Sequence, residues 1–432
     1  MKEAVSAILI YKEKIFCIKR NLKMKAFPGY TAFPGGKVDE KDNVNSEKNQ
    51  YLINALKREL LEELKFDLSE AIVDSINLIA TAITPDFNPY RFKTHFYTIK
   101  LNKLPELIVE KKEAESSYWI DPALLLNEYN HGLHLMVPPT VKMIKHLSKD
   151  INSLKYIDVS LDCNSETEVP YIEPLKNFHH LLPLSKTFPP ANRTNCFIVG
   201  DAENRLLIDP SPRSPQELEK LLNVANRLKF NKIFLTHHHP DHHEFAPEIA
   251  RKFNIPILLS RLTKLFLDKK YGRDYLDNIE LIIIKGNDVV ATYIDEDIIV
   301  KEVPGHDNGQ LALTVNSKKW FIVGDLIQSV GTVVVGGEEA DMSLYFDSLQ
   351  KVIDFNPMFV FPSHGIGLGG TTKLQLTLRH RKLREIEISK LLDLGNSDVE
   401  ILHKIYPWLE ERLHKYALAT IRSHIIKIQS DK

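Results

Sequence analysis

Apolar residues follow two rhythms along this chain. Near the start, Ala4–Tyr11 is a nearly unbroken apolar stretch, Lys12–Lys14 interrupts it and Ile15–Lys19 resumes it, a pattern that predicts two strands joined by a tight turn. Residues 1–150 continue to alternate strand-like and helix-like signals. They close on a helix predicted over Pro139–Leu147, where a proline pair suits the first turn. The rhythm lapses over 151–178, where Asn152, Ser153, Asp162, Asn164, Ser165 and Pro170 read as a connector. Residues 179–375 repeat one theme: a β-branched apolar run ends in a polar loop, and a helix often follows. That theme predicts a layered α/β domain. From Thr371 the pattern turns helical to the end, broken at Gly395-Asn396-Ser397. The expected organisation is therefore a first domain at 1–150, a linker at 151–178, a second domain at 179–375 and a helical tail at 376–432.

Composition narrows the class. At 432 residues, with 43% hydrophobic and 26% charged residues, the chain fits two or three ordinary globular domains. A net charge of −1 excludes a broadly basic nucleic-acid coat, though not a local basic patch. Cys17, Cys163 and Cys196 are too few and too scattered for a disulfide framework and form no C-x-x-C pair, which points to a reducing interior. Ala4–Tyr11 is too short to span a bilayer and is followed by no small-residue cleavage site. A cytoplasmic protein with no membrane partner is expected.

The chemistry begins at Thr236-His237-His238-His239-Pro240-Asp241-His242-His243, which holds five of the 17 histidines. Imidazoles and a carboxylate at such close range suit a borderline-soft divalent metal, above all zinc. A dense His loop alone would prove little, but further candidates end other apolar runs. Leu206–Ile208 leads to Asp209, Lys232–Thr236 to His237, Ile298–Val303 to His306, Trp320–Val323 to Asp325 and Met358–Phe361 to His364. In layered α/β folds, sites collect where strand ends open onto loops. His237, His239 and His306 can supply one three-His site. Asp241, His242 and His364 can supply a second, and Asp325 can bridge them. Two zinc ions about 3.5–4 Å apart lower the pKa of water toward about 7 and polarise the bond it attacks. Asp241 is the expected catalytic carboxylate as well as a ligand. It also precedes a predicted helical run at Phe245–Phe253, which it could cap. Asp209 is expected to orient a ligand histidine from behind.

These residues resemble the metallo-β-lactamase superfamily, whose motif Thr-His-x-His-x-Asp-His stands here at 236–242, with the later Asp and His motifs in the family's order. The resemblance implies an αββα sandwich with a dinuclear site. The family usually continues Asp-His-x-Gly-Gly, where this chain has His243-Glu244-Phe245, and its last motif usually reads Pro-Gly-His-Gly, here Pro362-Ser363-His364-Gly365. His239 stands where a di-iron redox branch would carry Glu, so hydrolysis is favoured. Only 38 residues separate Asp325 from His364, too few for the inserted domain of the long processing nucleases. Glyoxalase-II-like thioesterases and small β-lactamase-like endoribonucleases remain. Residues 371–432 carry 12 Lys/Arg against 8 Asp/Glu, and Arg379-His380-Arg381-Lys382-Leu383-Arg384 is a basic run. This segment resembles the winged-helix-like tail of the β-lactamase-like protein 2 endoribonucleases, which implies phosphodiester cleavage in single-stranded RNA. A small thioester substrate is the alternative.

A second constellation lies upstream. Phe33-Pro34-Gly35-Gly36 leads to Arg58-Glu59-Leu60-Leu61-Glu62-Glu63, and the i, i+3, i+4 spacing of Glu59, Glu62 and Glu63 sets them on one helical face. Carboxylates so grouped repel unless a cation lies among them, and oxygen ligands suit Mg²⁺ or Mn²⁺. The segment resembles the Nudix box, Gly-x5-Glu-x7-Arg-Glu-U-x-Glu-Glu-x-Gly-U with U aliphatic. An insertion lengthens the span from Gly36 to Arg58, and Lys65 replaces the box glycine. Ile83-Thr84-Pro85, Pro89–Tyr97, Trp119–Pro122 and Pro138–Thr140 extend the likeness to the coenzyme-A-diphosphatase-like branch, which commonly has Asp where Lys93 stands. The resemblance implies an α/β/α sandwich in which Glu59, Glu62 and Glu63 hold metal and Arg58 orients a glutamate. Glu62 and Glu63 carry the catalytic expectation. The substrate would be a nucleotide or CoA-like diphosphate, and a non-catalytic binding module is the alternative. His131, His134, His179 and His180 are expected at the surface or behind a site, Trp320 inside its strand, and Trp408 anchoring the tail helices.

Overall fold

The computed structural model describes residues 1–43, 50–85, 91–329 and 331–431. Pro89 and Tyr90 of the Nudix-like signature, and 44–49 of the insertion, lie outside them. The chain forms two compact units, Met1–Glu166 with Pro170–His179 and Thr167–Val169 with His180–Lys432.

In the first unit the long opening strand, Lys2–Tyr11, turns back antiparallel onto Lys14–Arg20 and lies parallel to Phe92–Leu101 at the centre of a seven-stranded sheet. Its unbroken apolar run has a simple cause. Successive strand residues point to opposite faces, and here both faces are covered. Val5, Ala7 and Leu9 pack with Leu52, Leu56 and Leu60 of the helix Gln50–Leu64. Ile8 and Ile10 pack with Val141, Ile144 and Leu147 of the helix Pro138–Leu147. Two helical layers thus enclose one sheet. Within the stretch expected as a linker, Ile157–Asp158 pairs parallel with Ala80–Thr81.

The second unit holds two sheets. In one, Leu206–Ile208, Lys232–Phe234, Ile257–Leu259 and Leu281–Ile283 run parallel in that order, linked by the helices Pro215–Leu228, Ala246–Phe253 and Arg261–Tyr271, with Cys196–Val199 antiparallel beside the first. The other has six strands, in the order Val289–Tyr293, Glu296–Glu302, Leu311–Val315, Trp320–Gly324, Phe359–Pro362, Leu368–Gly369. Phe197 of one sheet meets Phe361 of the other edge-to-face at 6.0 Å. The helix Met342–Phe355 covers the six-stranded sheet, burying Tyr345, Leu349 and Val352 with Phe321 and Val323. The layers are αββα, and the loops that follow the strands carry the histidines.

Helices Thr372–Asp393, Asp398–Ile405 and His414–Ser430 complete the unit, around a core of Ile388, Ile401, Leu402, Ile405, Ile421 and Ile428. Two expectations are corrected here and one is narrowed. Trp408 is 83% exposed and anchors nothing, because those branched aliphatics already fill the space between the helices. His179 and His180 are buried, on the strand Phe178–Leu181, which excludes the surface of the two places expected for them. Asp241 does not cap the following helix. It lies inside a separate turn, Pro240–His243, and Phe245 holds the cap position without a side-chain bond. Trp320 is fully buried against Tyr293, as its strand pattern predicts. Among the described residues no helix is long and apolar enough to cross a membrane.

Candidate metal centre

Two of the parallel strands, Leu206–Ile208 and Lys232–Phe234, deliver site residues where the backbone leaves the sheet. Asp209, directly after Leu206–Ile208, adopts φ 49, a left-handed conformation that Asp tolerates better than most residues. From there its carboxylate organises the histidine loop. Oδ1 accepts the Thr236 backbone N–H at 2.8 Å, and Oδ2 accepts the Thr236 hydroxyl at 2.6 Å and His242 Nδ1–H at 2.9 Å. With its proton committed to Asp209, Thr236 Oγ1 accepts from His237 Nδ1–H at 2.9 Å.

These bonds decide which ring nitrogens carry a proton. His237 is protonated on Nδ1, so its Nε2 is a bare lone pair. His306 donates Nδ1–H to the Val334 carbonyl at 2.7 Å, so its Nε2 is bare too. His239 turns Nε2 toward the Glu339 carboxylate, 3.6 Å away, and in the tautomer that carries its proton on that side Nδ1 is bare. The three bare nitrogens meet: His239 Nδ1 lies 3.0 Å from His237 Nε2 and 2.9 Å from His306 Nε2. No proton remains to join them, so the cluster is repulsive without a cation. A tetrahedral zinc with Zn–N of about 2.0–2.1 Å sets its ligand atoms only a little over 3 Å apart, close to the spacing seen.

A second group repeats the logic. His242 is protonated on Nδ1 by its bond to Asp209, and its buried Nε2 has no hydrogen-bond partner among the described residues. His364 donates Nδ1–H to the Arg193 carbonyl at 3.0 Å, leaving Nε2 bare 3.6 Å from Asp241 Oδ2. Asp325 reaches both groups. Its Oδ2 is 3.6 Å from His306 Nε2 and 3.8 Å from His242 Nε2, and its Oδ1 is 3.4 Å from His364 Nε2. The residues present therefore fit two neighbouring cations sharing one carboxylate. The turn that carries His306 needs a glycine before it: Gly305 has φ 129, and a Cβ there would fall 2.3 Å from the backbone of Tyr345.

The electrostatics agree with this division. Burial, then the neighbouring imidazoles, drive His237 well below the usual imidazole range, and burial brings His306 down to about 4. Both are neutral donors. Burial also opposes charge on His242, but Asp241, Asp325 and Asp209 outweigh it and raise its pKa. A proton thus competes with a cation on the second group. Glu339, held by His239, is lowered to about 2 and stays ionised.

The first unit assembles its candidates differently. Glu63 Oε2 accepts the Gly35 N–H at 2.9 Å, and burial lifts its pKa to about 7. Glu59 lies against Gly36, where any Cβ would sit 2.4–2.6 Å from its carboxylate. Glu62 is 53% exposed and faces Lys41 at 3.3 Å. Arg58 stands among them, 2.8 Å from Glu59 and 3.2 Å from Glu62, and grips Asp42 with two bonds of 2.9 Å. Among the described residues, the three glutamates do not form a group of ligand atoms as tight as those of the histidine centre. The Arg58 guanidinium satisfies two of them instead. Lys65 adopts φ 54 just past the helix, with its N–H on Leu61 O and the Phe66 N–H on Leu60 O, a left-handed helix stop for which the box glycine would suit.

Sequence reasoning missed several partners. Glu339 lies in a loop with no periodic signal. Asp42 lies within the inserted stretch. Asp307, beside His306, is buried and bonds the His238 ring. The carbonyls of Val334 and Arg193 are backbone atoms and leave no mark in residue type.

Residues 189–364 match the family described as the metallo-beta-lactamase superfamily, and residues 1–138 match the NUDIX domain. A Beta-lactamase-like protein 2 homolog of Drosophila melanogaster is 26% identical over 254 residues, covering 55% of this chain and 82% of that protein. An Atrochrysone carboxyl ACP thioesterase of Claviceps purpurea is 25% identical over 205 residues, 47% of this chain and 60% of that protein, so less than two thirds of the relative is spanned. The crystal structure of a beta-lactamase domain protein from Burkholderia ambifaria superposes with a TM-score of 0.52 at 16% identity, covering 62% of this chain and 90% of the other, a likeness of fold alone.

Proposed function

Since this chain joins a NUDIX domain to a metallo-β-lactamase superfamily domain, both of hydrolase families, we propose that its principal reaction is hydrolysis at a dinuclear zinc centre, with phosphodiester bonds of single-stranded RNA as substrate. The observation that carries the zinc reading is the meeting of three bare imidazole nitrogens beside a carboxylate that also faces a second group. His237, His239 and His306 would hold one ion, Asp241, His242 and His364 the other, and Asp325 would serve both. When bound, the ions supply Lewis acidity and bring the pKa of water toward about 7. The protein does the rest. Asp209 and Thr236 lock the His242 and His237 rings, burial keeps His237 and His306 neutral, and Asp241, the more exposed of the two aspartates in the centre, would hold the proton of an attacking water.

The RNA reading draws on the likeness to β-lactamase-like protein 2 proteins and on Arg379 and Lys382, exposed on a terminal helix. Arg381 and Arg384 add less to such a surface than their sequence suggests. Arg381 is buried against Tyr345, and Arg384 stacks on Tyr406 and pairs with Glu387 at 2.6 Å. Thioester hydrolysis is the second reading, favoured by the thioesterase relative. For the first unit we propose a nucleotide or CoA-like diphosphate, bound with Mg²⁺ or Mn²⁺ on Glu59, Glu62 and Glu63 once Arg58 yields. The free thiols Cys17 and Cys196, both buried, accord with a cytoplasmic setting. Zinc-loaded protein and its His306→Ala variant are to be offered short single-stranded RNA and S-lactoylglutathione in parallel. RNA cleavage abolished by the substitution is expected. Thioester turnover with intact RNA would replace the nuclease reading.

A further inference from the structure

Four consecutive residues, Val333 to Gly336, serve two masters. The Val334 carbonyl accepts His306 Nδ1–H at 2.7 Å and so settles which nitrogen of His306 is free. Its neighbours on both sides are held by the terminal helices. Arg381, buried in the helix Thr372–Asp393, donates Nη2–H to the Val333 carbonyl. Thr420, buried in the helix His414–Ser430, accepts the Val335 N–H at 3.3 Å. Gly336 packs so closely on the same helix that a Cβ would stand 2.7 Å from the Ala419 backbone. The segment then runs to Glu339, whose carboxylate faces His239 and whose carbonyl accepts the Asn308 N–H at 2.7 Å, two residues from His306. Arg381 also lies over the ring of Tyr345, whose hydroxyl bonds the Leu326 carbonyl directly after Asp325.

We propose that the terminal helices are a working part of the three-histidine site. Arg381 and Thr420 are positioning residues that fix the 333–336 segment, and through the Val334 carbonyl they aim the His306 lone pair. The inference rests on the zinc-centre reading above. It predicts an asymmetry for the Val334 brace: among the described residues the segment bonds His306 through the Val334 carbonyl and leads to Glu339 against His239. Thr420→Val, which leaves the Arg381–Tyr345 contact near Asp325 in place, isolates that brace. The group of Asp241, His242 and His364 takes its supports from Asp209 and Arg193 instead. Loss of the brace must therefore weaken one ion and spare the other.

The test is competitive zinc titration of the full chain against a chromophoric chelator, for wild type, Arg381→Met, Thr420→Val, Arg381→Lys and the exposed-site control Lys390→Ala. The expected result is two ions in wild type and in Lys390→Ala. In Arg381→Met and Thr420→Val, one ion should be held about 10–100-fold more weakly, the range for losing a partner that orients a ligand. Arg381→Lys, which keeps a donor for the Val333 carbonyl, should recover part of the loss. Thr420→Val is nearly isosteric and keeps the test open if Arg381→Met fails to fold. Unchanged affinity for both ions, or an equal loss of both with a lowered melting temperature, would overturn the inference. A wild-type chain that takes up no zinc would sink the metal-centre reading itself, and this inference with it.

Discussion

Replacing Asp209 by Asn changes one oxygen for an NH₂ group and almost nothing else. Asn tolerates the left-handed backbone at this position as readily as Asp does. One acceptor survives, enough for the Thr236 N–H. The other oxygen had taken two protons, from the Thr236 hydroxyl at 2.6 Å and His242 Nδ1 at 2.9 Å, and an amide NH₂ cannot accept either. The least costly repair is a swap of tautomer. His242 would accept at Nδ1 and carry its proton on Nε2, the atom now buried without a hydrogen-bond partner among the described residues. That proton would occupy the place of a metal bond. Loss of such an orienting partner costs about 10–100-fold in metal affinity, or about 1.4–2.7 kcal/mol. Fold stability should also fall by about 1.5–3 kcal/mol, the usual worth of one hydrogen bond to a charged group. Chelator competition should show the ion of the Asp241, His242 and His364 group weakened in Asp209→Asn, with circular dichroism unchanged. Wild-type affinity for both ions in Asp209→Asn would refute the reasoning from tautomers.

Two further outcomes concern the first unit. Burial holds the folded pKa of Glu63 at about 7, above its ordinary 4.5, so the folded state keeps this proton more tightly than the unfolded chain. Its stabilising contribution is full below 4.5 and is lost as pH rises through about 7. Denaturant midpoints of metal-free protein should therefore fall over this window, Glu63→Gln should flatten the slope, and equal slopes would contradict the assignment. Lys65→Gly, at φ 54, should raise stability by about 1 kcal/mol, since a left-handed residue with a Cβ costs about 1–2 kcal/mol and glycine returns part of that in chain entropy. A melting temperature unchanged or lowered in Lys65→Gly would show that the Lys65 amino group, 3.3 Å from the Glu62 carbonyl, matters more than the backbone.

What could be read in the chain, and what could not, follows from how each contact is encoded. Asp209, His237, His306, Asp325 and His364 each end or closely follow an apolar run, so strand periodicity alone places them at one edge of the layers. Thr236 sits inside the motif and its support of His237 could be anticipated. The Val334 and Arg193 carbonyls could not, because a backbone acceptor is common to all residues. The carboxylate helix shows the opposite case. Spacing sets Glu59, Glu62 and Glu63 on one face, but it cannot show that Arg58, one residue from Glu59, lies between them and turns to Asp42. Trp408 illustrates the limit of residue type as a guide to burial, since a large ring between helices is an anchor only when smaller aliphatics leave it room.

The candidate donors are spread from residue 237 to residue 364, on the loops after four strands: His237 to His242 after Lys232–Phe234, His306 after Glu296–Glu302, Asp325 after Trp320–Gly324 and His364 after Phe359–Pro362. During synthesis on the ribosome the histidine loop emerges long before His364, and the helices bracing Val333 and Val335 come later still. The full donor set cannot form until those later segments have emerged, so any metal it takes up joins a largely folded unit rather than seeding its folding.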